Sequence, residues 1–196
     1  MKAKKKFLEP EEFKRLLDTA KKVNIRDYVL FLLAGNLGLR VGEVVRLRKS
    51  DFDFGAKTVM APTLKQKTKG PLGKEELPVV YIELPSVHII NNEVFKKYFN
   101  KVSGYGWLFE GKKGPRYKIS ENSVQKIFKK YVKALGIDVS FHSLRHFRGD
   151  SIYKKTFDLM AVKTSLRHRS MKYASTYVHP GLKEITKYFD EGGFVE

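Results

Sequence analysis

The stretch from Phe141 to His179 constrains the fold of this chain most strongly. Among apolar residues at helical spacing it carries two imidazoles, a guanidinium and a phenol, which belong to His142, Arg145, His168 and Tyr177. Side chains of these types act together only when packed elements hold them in place, and their spacings match no common metal site. We therefore expect helices in this stretch and a polar site that uses no metal.

The charge of the chain indicates a polyanionic partner. There are 39 Lys and Arg against 21 Asp and Glu in 196 residues, which gives a formal net charge of +18. Such an excess repels itself and does not help folding, whereas it attracts nucleic acid. No apolar run is long enough to span a membrane and no lipidation motif is present, so a membrane surface is the weaker candidate.

Cysteine is absent, which excludes disulfides and cysteine-based metal sites. The basic N-terminus lacks the apolar core of a signal peptide, so we expect a cytoplasmic protein. No metal-binding or cofactor-binding motif occurs, and we expect neither group to be needed. The low glutamine content beside many Lys and Glu is a composition that suits a thermophile.

Apolar periodicity predicts the main elements. A first helix opens at Glu9-Pro10, because proline and acidic residues suit the first turn. Two strands are predicted at Lys57–Thr63 and Leu77–Leu84. The other predicted helices are Ile25–Leu37, a short one from Val41, Pro85–Val102, Ser120–Leu135, His142–Lys155 and Phe157–Leu166.

A second polar motif, Gly38–Glu43, lies where glycine ends an apolar helix. Arg40 follows at the junction with the next helix, where a fixed backbone can aim its side chain; an ordinary surface arginine is the alternative. In the later motif, His142 and Arg145 share one face of a first helical turn, whose free N–H groups favour anions. We predict that the two motifs meet around one phosphate.

A long basic hairpin tip lies between the two predicted strands, from Lys65 to Lys74. Residues 65, 67 and 69 are all lysines of one strand parity, so geometry does not separate them. We interpret the tip as a loop that carries a lysine to a DNA backbone, with a solvated loop as the alternative. Lysines also form one flank of the 120–135 helix, which faces either solvent or DNA: Lys126, Lys129, Lys130 and Lys133.

In their order along the chain, these motifs resemble the catalytic domain of tyrosine recombinases, the phage-integrase class. An archaeal-type integrase is one candidate. The resemblance implies an α+β, mostly helical domain with a small antiparallel β-sheet that wraps duplex DNA. The matching stretches are Gly38-Leu39-Arg40-Val41-Gly42-Glu43-Val44, His142-Ser143-Leu144-Arg145-His146, Leu166-Arg167-His168-Arg169-Ser170 and Thr176-Tyr177-Val178-His179.

The resemblance also implies the role of each residue. Arg40 and Arg145 resemble the two arginines that clamp the scissile phosphate. Tyr177 resembles the nucleophile that forms a 3′-phosphotyrosine link. His142 resembles the histidine near that nucleophile, and His168 resembles the second phosphate contact.

A lysine of the first hairpin resembles the acid that protonates the 5′-oxygen leaving group. Lys67, in Lys-Thr-Lys-Gly, is the favoured candidate, followed by Lys65. Arg167 is a departure, because the family commonly has glycine there. The expected contacts to the DNA backbone are Lys65, Lys69, Lys74, Arg167 and Arg169.

The expected function is site-specific DNA recombination or integration by strand cleavage and rejoining. The expected partners are double-stranded DNA and further copies of the protein on that DNA, with no membrane and no small-molecule substrate. A type IB topoisomerase and a catalytically silent DNA-binding protein of the same fold are the alternatives. An intact set of reactive residues argues against the silent protein.

The expected domain organisation has three parts. Residues 1–8 form a basic arm or linker remnant, and residues 9–179 form the catalytic domain. Residues 180–196 form a C-terminal helix that packs either on its own domain or on a neighbouring copy. The N-terminal core-binding domain usual in the family is absent from the sequence, which favours an excised catalytic domain.

Overall fold

The computed structural model describes residues 7–62, 68–69, 75–76, 79–104, 106–168 and 170–177. The chain divides into two compact units, Met1–Arg148 (unit 1) and Gly149–Glu196 (unit 2). Within the described residues, none of the helices combines the length and the apolar character needed to span a lipid bilayer.

Unit 1 is built around one buried helix. Helix α2 is apolar on all sides and almost entirely buried, as expected for a helix at the centre of a core. Its bounds confirm the prediction made from apolar periodicity. The helices of unit 1 are α1 (Pro10–Val23), α2 (Ile25–Leu37), α3 (Val41–Val44), α4 (Glu93–Lys101), α5 (Glu121–Ala134) and the first part of α6 (Ser143–Thr156).

A small antiparallel sheet completes unit 1, as the resemblance implied. Its three strands have the spatial order β1 (Phe52–Asp53), β2 (Thr58–Pro62) and β5 (Val79–Glu83). Val59 and Ala61 of β2 are buried and alternate with less buried neighbours, as on a sheet with one face on the core. Two further pairs are β3 (Thr68–Lys69) with β4 (Glu75–Glu76), and β6 (Glu110–Gly111) with β7 (Gly114–Lys118).

The predicted helix Pro85–Val102 is wrong as a single helix. A π-helical turn covers Ser86–Ile90, and α4 begins directly after Asn92. The Asn92 side-chain oxygen accepts the Phe95 N–H at 2.9 Å, and its amide donates to the Tyr28 hydroxyl at 2.8 Å. This helix cap, which is anchored by a long-range hydrogen bond, fixes the start of α4.

Unit 2 contains the end of α6, then α7 (Leu159–Ser165), α8 (Met171–Ala174) and a 3₁₀ turn at Ser175–Tyr177. The predicted helix from Phe157 starts two residues later than expected. The Asp158 side chain accepts the Met160 N–H at 2.6 Å and caps α7. Phe157 itself adopts the left-handed conformation, with φ of 50°.

Candidate active site

Arg40 lies on a backbone that its neighbours fix. Gly38 ends α2 in the left-handed conformation, with φ of 61°, and Arg40 caps α3. The Arg40 guanidinium donates to Glu43 Oε1 at 2.7 Å, and its backbone N–H donates to Glu43 Oε2 at 2.9 Å. Glu43 is fully buried, whereas the Arg40 side chain is 18 % exposed. The buried acid therefore anchors a guanidinium that still reaches the surface.

Arg145 connects the two motifs of unit 1. It lies in the first turn of α6 and is only 1 % exposed. Its Nη1 donates to the Gly38 carbonyl at 2.6 Å, although the two residues are 107 positions apart in the chain. Since Gly38 precedes Arg40 by two residues, this hydrogen bond holds both arginine-bearing segments together.

His142 stands directly before α6 and is exposed. Its ring meets the ring of His146 edge-on, with 4.7 Å between the centroids, and His146 in turn meets Phe7 at 5.5 Å. His142 and Arg40 line one cavity of about 770 Å³, which the exposed lysines Lys129 and Lys133 of α5 also line. The same cavity is also lined by Asp138 and by a largely apolar wall, so the basic side chains lie on one part of its lining, where they favour an anion.

The end of α7 places His168 in unit 2. Its backbone N–H donates to the Lys163 carbonyl at 2.9 Å, and the Arg167 N–H donates to the Thr164 carbonyl at 3.0 Å. These two bonds form a Schellman motif, in which the residue after the helix cap takes the left-handed conformation. That residue is Arg167, with φ of 56°, and its Nη1 donates to the Ser165 carbonyl at 3.1 Å.

Tyr177 lies beside His168 within unit 2. Ser170 caps α8, and the 3₁₀ turn that follows delivers the tyrosine. The rings of His168 and Tyr177 are nearly parallel, with 6.3 Å between centroids and 16° between planes. Tyr177 is 2 % exposed, whereas nearby Tyr173 is 56 % exposed. The second histidine and the tyrosine of the motif set are therefore neighbours.

Two tyrosines of unit 1, the buried Tyr131 and the half-buried Tyr98, have structural partners. The Tyr131 hydroxyl donates to Asp27 at 3.2 Å, and the Tyr98 hydroxyl donates to the Leu108 carbonyl at 2.7 Å. Burial, followed by the Asp27 charge, raises the pKa of Tyr131 to about 12, and burial also raises the pKa of Tyr98. Both hydroxyls are held by partners within unit 1, and a phenol with a raised pKa is a poorer source of phenolate.

Several predicted contacts lie outside the described residues: Lys65, Lys67, Lys74 and Arg169. Lys69 belongs to β3, where its backbone pairs with Glu75 of β4. The choice between the hairpin lysines therefore stays as the sequence left it.

Sequence reasoning missed the part played by Glu43. The motif contained this residue, but no role was assigned to it. The available signal was its spacing, because an acid three residues after a helix cap can bond back to the cap. The structure adds its full burial, which makes Arg40 its charge partner.

The left-handed backbone at Arg167 suits the glycine that the resemblance implies at this position, and it predicts a stabilising substitution. A side chain in this conformation costs about 1–2 kcal/mol, and replacing Arg167 by glycine relieves that strain. We expect Arg167→Gly to raise the free energy of unfolding by less than about 1 kcal/mol in urea denaturation, because the lost guanidinium bond and the greater freedom of glycine when unfolded offset most of the relieved strain. Lys57, exposed with φ of 54°, gives the matched control Lys57→Gly. A loss of stability in Arg167→Gly beside a gain in Lys57→Gly would contradict the strain at Arg167.

The chain has the fold of tyrosine recombinase catalytic domains. It is mostly helical with small antiparallel sheets, and it carries two linked arginine motifs and a histidine–tyrosine pair. The phage integrase family model matches residues 6–184, and the chain belongs to the phage integrase family.

Known relatives extend this result. Tyrosine recombinase XerA of Pyrococcus furiosus is 27 % identical over 194 residues, which cover 97 % of this chain and 63 % of that protein. A crystal structure of XerA recombinase has a TM-score of 0.74 at 19 % identity and covers 97 % of this chain and 66 % of its own. The structure of XerH bound to its difH substrate has a TM-score of 0.68 at 22 % identity. The match covers 95 % of this chain and 54 % of the XerH chain. The chain thus spans less than two thirds of these relatives.

Proposed function

We propose that this protein cleaves and rejoins DNA strands in site-specific recombination or integration, through a covalent phosphotyrosine intermediate. Membership of the phage integrase family and similarity to proteins named tyrosine recombinases support the proposal. The observation that carries it is the hydrogen bond from Arg145 to Gly38, because it joins two arginine segments far apart in sequence. We propose that residues 9–179 form the catalytic domain.

In this proposal, Arg40 and Arg145 bind the non-bridging oxygens of the scissile phosphate. A phosphodiester repels nucleophiles, so its negative charge has to be neutralised before attack. Arginine suits this task because it stays charged and presents fixed, paired donors. Each well-placed donor of this kind is worth roughly 3 kcal/mol in the transition state. The Glu43 anchor and the Gly38 contact keep both guanidiniums oriented before DNA arrives.

The Tyr177 Oη attacks phosphorus while the bond from phosphorus to O5′ breaks, which gives a tyrosyl 3′-phosphodiester and a free 5′-hydroxyl. The phenol proton passes to a base, for which His142 is the candidate, because a phenol with a pKa of about 10 is a weak nucleophile at neutral pH. A hairpin lysine, Lys67 in our assignment, gives a proton to O5′, and His168 binds the phosphate. One phosphate ester replaces another, so the energy of the bond remains available for rejoining.

Duplex DNA is the proposed substrate. The net charge of +18 supports a polyanionic partner, and the exposed lysines of α5 lie beside the cavity that Arg40 lines. The related XerH structure is a complex with its difH substrate, which supports the same assignment here. We place the protein inside the cell, on DNA. Association between copies is also proposed. Residues 180–196, which were expected to pack either on their own domain or on a neighbouring copy, lie outside the described residues.

The proposal predicts that the protein becomes covalently attached to DNA. The probe is a pool of nicked duplexes with random sequence around the nick, because loss of a short cleaved fragment traps the intermediate. We expect a protein–DNA band that resists denaturing electrophoresis and disappears on proteinase digestion. Tyr177→Phe should form none, since it lacks the attacking oxygen, whereas the matched variant Tyr173→Phe should behave as the wild type. Adducts of equal yield in wild type and Tyr177→Phe would contradict the proposal.

A further inference from the structure

Gly149 lies under the ring of Tyr177. It is a buried residue in the interior of α6, and a Cβ built on it would lie 2.4 Å from Cζ and 2.5 Å from Cε1 of Tyr177. Carbon atoms do not approach so closely, so the tyrosine ring rests directly on the helix backbone at a place where any side chain would prevent it. Glycine weakens a helix interior, so its presence here calls for a reason, and the close approach of the ring supplies one.

The contact is made at the reactive end of the tyrosine. Cζ carries the hydroxyl, so an added methyl group would displace the end of the ring that attacks phosphorus. Ordinary contacts with a Cβ begin at 3.4 Å, and the ring would have to move by about 1 Å to relieve the overlap. The other neighbours leave little room, because Tyr177 is 2 % exposed, lies parallel to His168 and shares the space beside Gly149 with Leu166.

We propose that Gly149 is a positioning residue for the nucleophile: its missing side chain sets how deeply the Tyr177 ring lies and therefore where the Tyr177 oxygen stands. The inference rests on the proposed function, because it takes Tyr177 as the attacking group. A displacement of about 1 Å at a reacting atom slows a reaction by roughly 100-fold. Gly149 touches neither substrate nor phosphorus, and acts only through the tyrosine.

A second glycine provides the matched control. Gly35, in the interior of α2, would place a Cβ 2.4 Å from Cζ of Phe13. The geometry is the same, but that ring carries no hydroxyl and belongs to the core of unit 1. Gly35→Ala therefore reproduces the steric conflict between a helix and an aromatic ring without touching a reacting group.

The kinetic test measures single-turnover cleavage at saturating protein, on a duplex recovered from the adduct experiment. We expect Gly149→Ala to slow formation of the adduct by roughly 100-fold while the dissociation constant for the intact duplex stays unchanged. Gly35→Ala should cleave at the wild-type rate per folded molecule. Folded Gly149→Ala that cleaves at the wild-type rate overturns the inference.

A duplex with sulfur in place of the bridging O5′ separates positioning of the nucleophile from protonation of the leaving group. A thiolate leaves without a proton, so this duplex corrects a weakened general acid but not a misplaced tyrosine. Gly149→Ala should remain slow relative to the wild type on the sulfur duplex. Recovery to the wild-type rate on that duplex also overturns the inference.

A thermal double-mutant cycle tests the contact without relying on activity. In the wild-type background we expect Gly149→Ala to lower Tm. In the Tyr177→Ala background the same change should lower Tm much less, because only the Leu166 side chain, 2.8 Å from the added Cβ, still has to shift. Equal shifts in both backgrounds show that the Tyr177 ring is not the reason for glycine at position 149, and they overturn the inference.

A wild-type protein that forms no adduct defeats the proposed function and the inference together, whereas normal cleavage by Gly149→Ala defeats only the inference.

Discussion

Arg145→Ala is expected to slow single-turnover cleavage of DNA by roughly 10²–10³-fold, the effect typical of losing one well-placed donor to a developing charge. The guanidinium is 1 % exposed and fixed by its 2.6 Å bond to the Gly38 carbonyl. It is therefore oriented before DNA binds. Adduct formation on nicked duplex, followed over time, measures the loss.

The same substitution should also destabilise unit 1. The Gly38 carbonyl loses a buried donor, which costs about 1–3 kcal/mol, and urea denaturation reports it. Arg145→Lys separates charge from geometry, because lysine restores the charge but not the planar, paired donors; we expect only partial recovery of the rate. Arg148→Ala is the matched control, because it also removes a guanidinium from α6, one turn after Arg145. Burial lowers the pKa of the Arg148 guanidinium. Equal loss of cleavage in Arg148→Ala and Arg145→Ala would contradict the role given to Arg145.

Glu43→Ala is expected to lower the free energy of unfolding by about 2–4 kcal/mol, because it leaves the Arg40 guanidinium without its buried counter-charge. The partial exposure of Arg40 keeps the cost below that of a wholly buried pair. Cleavage should slow as well, since Arg40 loses the 2.7 Å bond that orients it. Urea denaturation and single-turnover cleavage, measured on the same preparation, give both quantities.

Two further variants make the Glu43 result specific. Glu43→Gln keeps the shape and an acceptor for the Arg40 backbone N–H but removes the charge, so we expect a smaller loss of stability and still a slower cleavage. Glu121→Gln is the control, because its 3.1 Å ion pair with Arg46 lies nearer the surface and should contribute about 0–1 kcal/mol. A Glu43→Ala protein as stable as Glu121→Gln would contradict the anchoring of Arg40.

Local patterns predicted much of the fold. The end of α2 follows from Gly38, which was predicted to end this mostly apolar helix and does so in the left-handed conformation. Ser120 was predicted to begin α5, and its side chain does accept the Ser123 N–H at 3.1 Å. These signals lie within a few residues of the feature they predict, and so the sequence alone is sufficient for them.

Long-range hydrogen bonds set the limit of such predictions. Asn92 divides the predicted helix 85–102 by capping α4, and its bond to Tyr28, 64 residues earlier, anchors that cap in a way that no periodicity reveals. The meeting of Gly38 with Arg145 is likewise a tertiary contact, and the sequence suggested it only through a functional argument about phosphate.

The motif residues of the candidate site and the residues that support them differed in how far the sequence could predict them. The resemblance assigned roles to Arg40, Arg145 and Tyr177 because their motifs are distinctive, and these roles stay predictions. It gave no role to Glu43 or Gly149. Glu43 acts by anchoring the Arg40 side chain, and Gly149 acts by having no side chain beside Tyr177. Burial and close approach reveal such residues, and both properties require coordinates.

The most direct test of the central claim, that Tyr177 attacks a DNA phosphate, is to identify the amino acid attached to DNA. The trapped adduct is digested with a protease and a nuclease, and the peptide that retains a nucleotide is sequenced by mass spectrometry. The account predicts a single modified peptide with the phosphodiester on Tyr177. Attachment at the exposed Tyr173, or at any other residue, would contradict it.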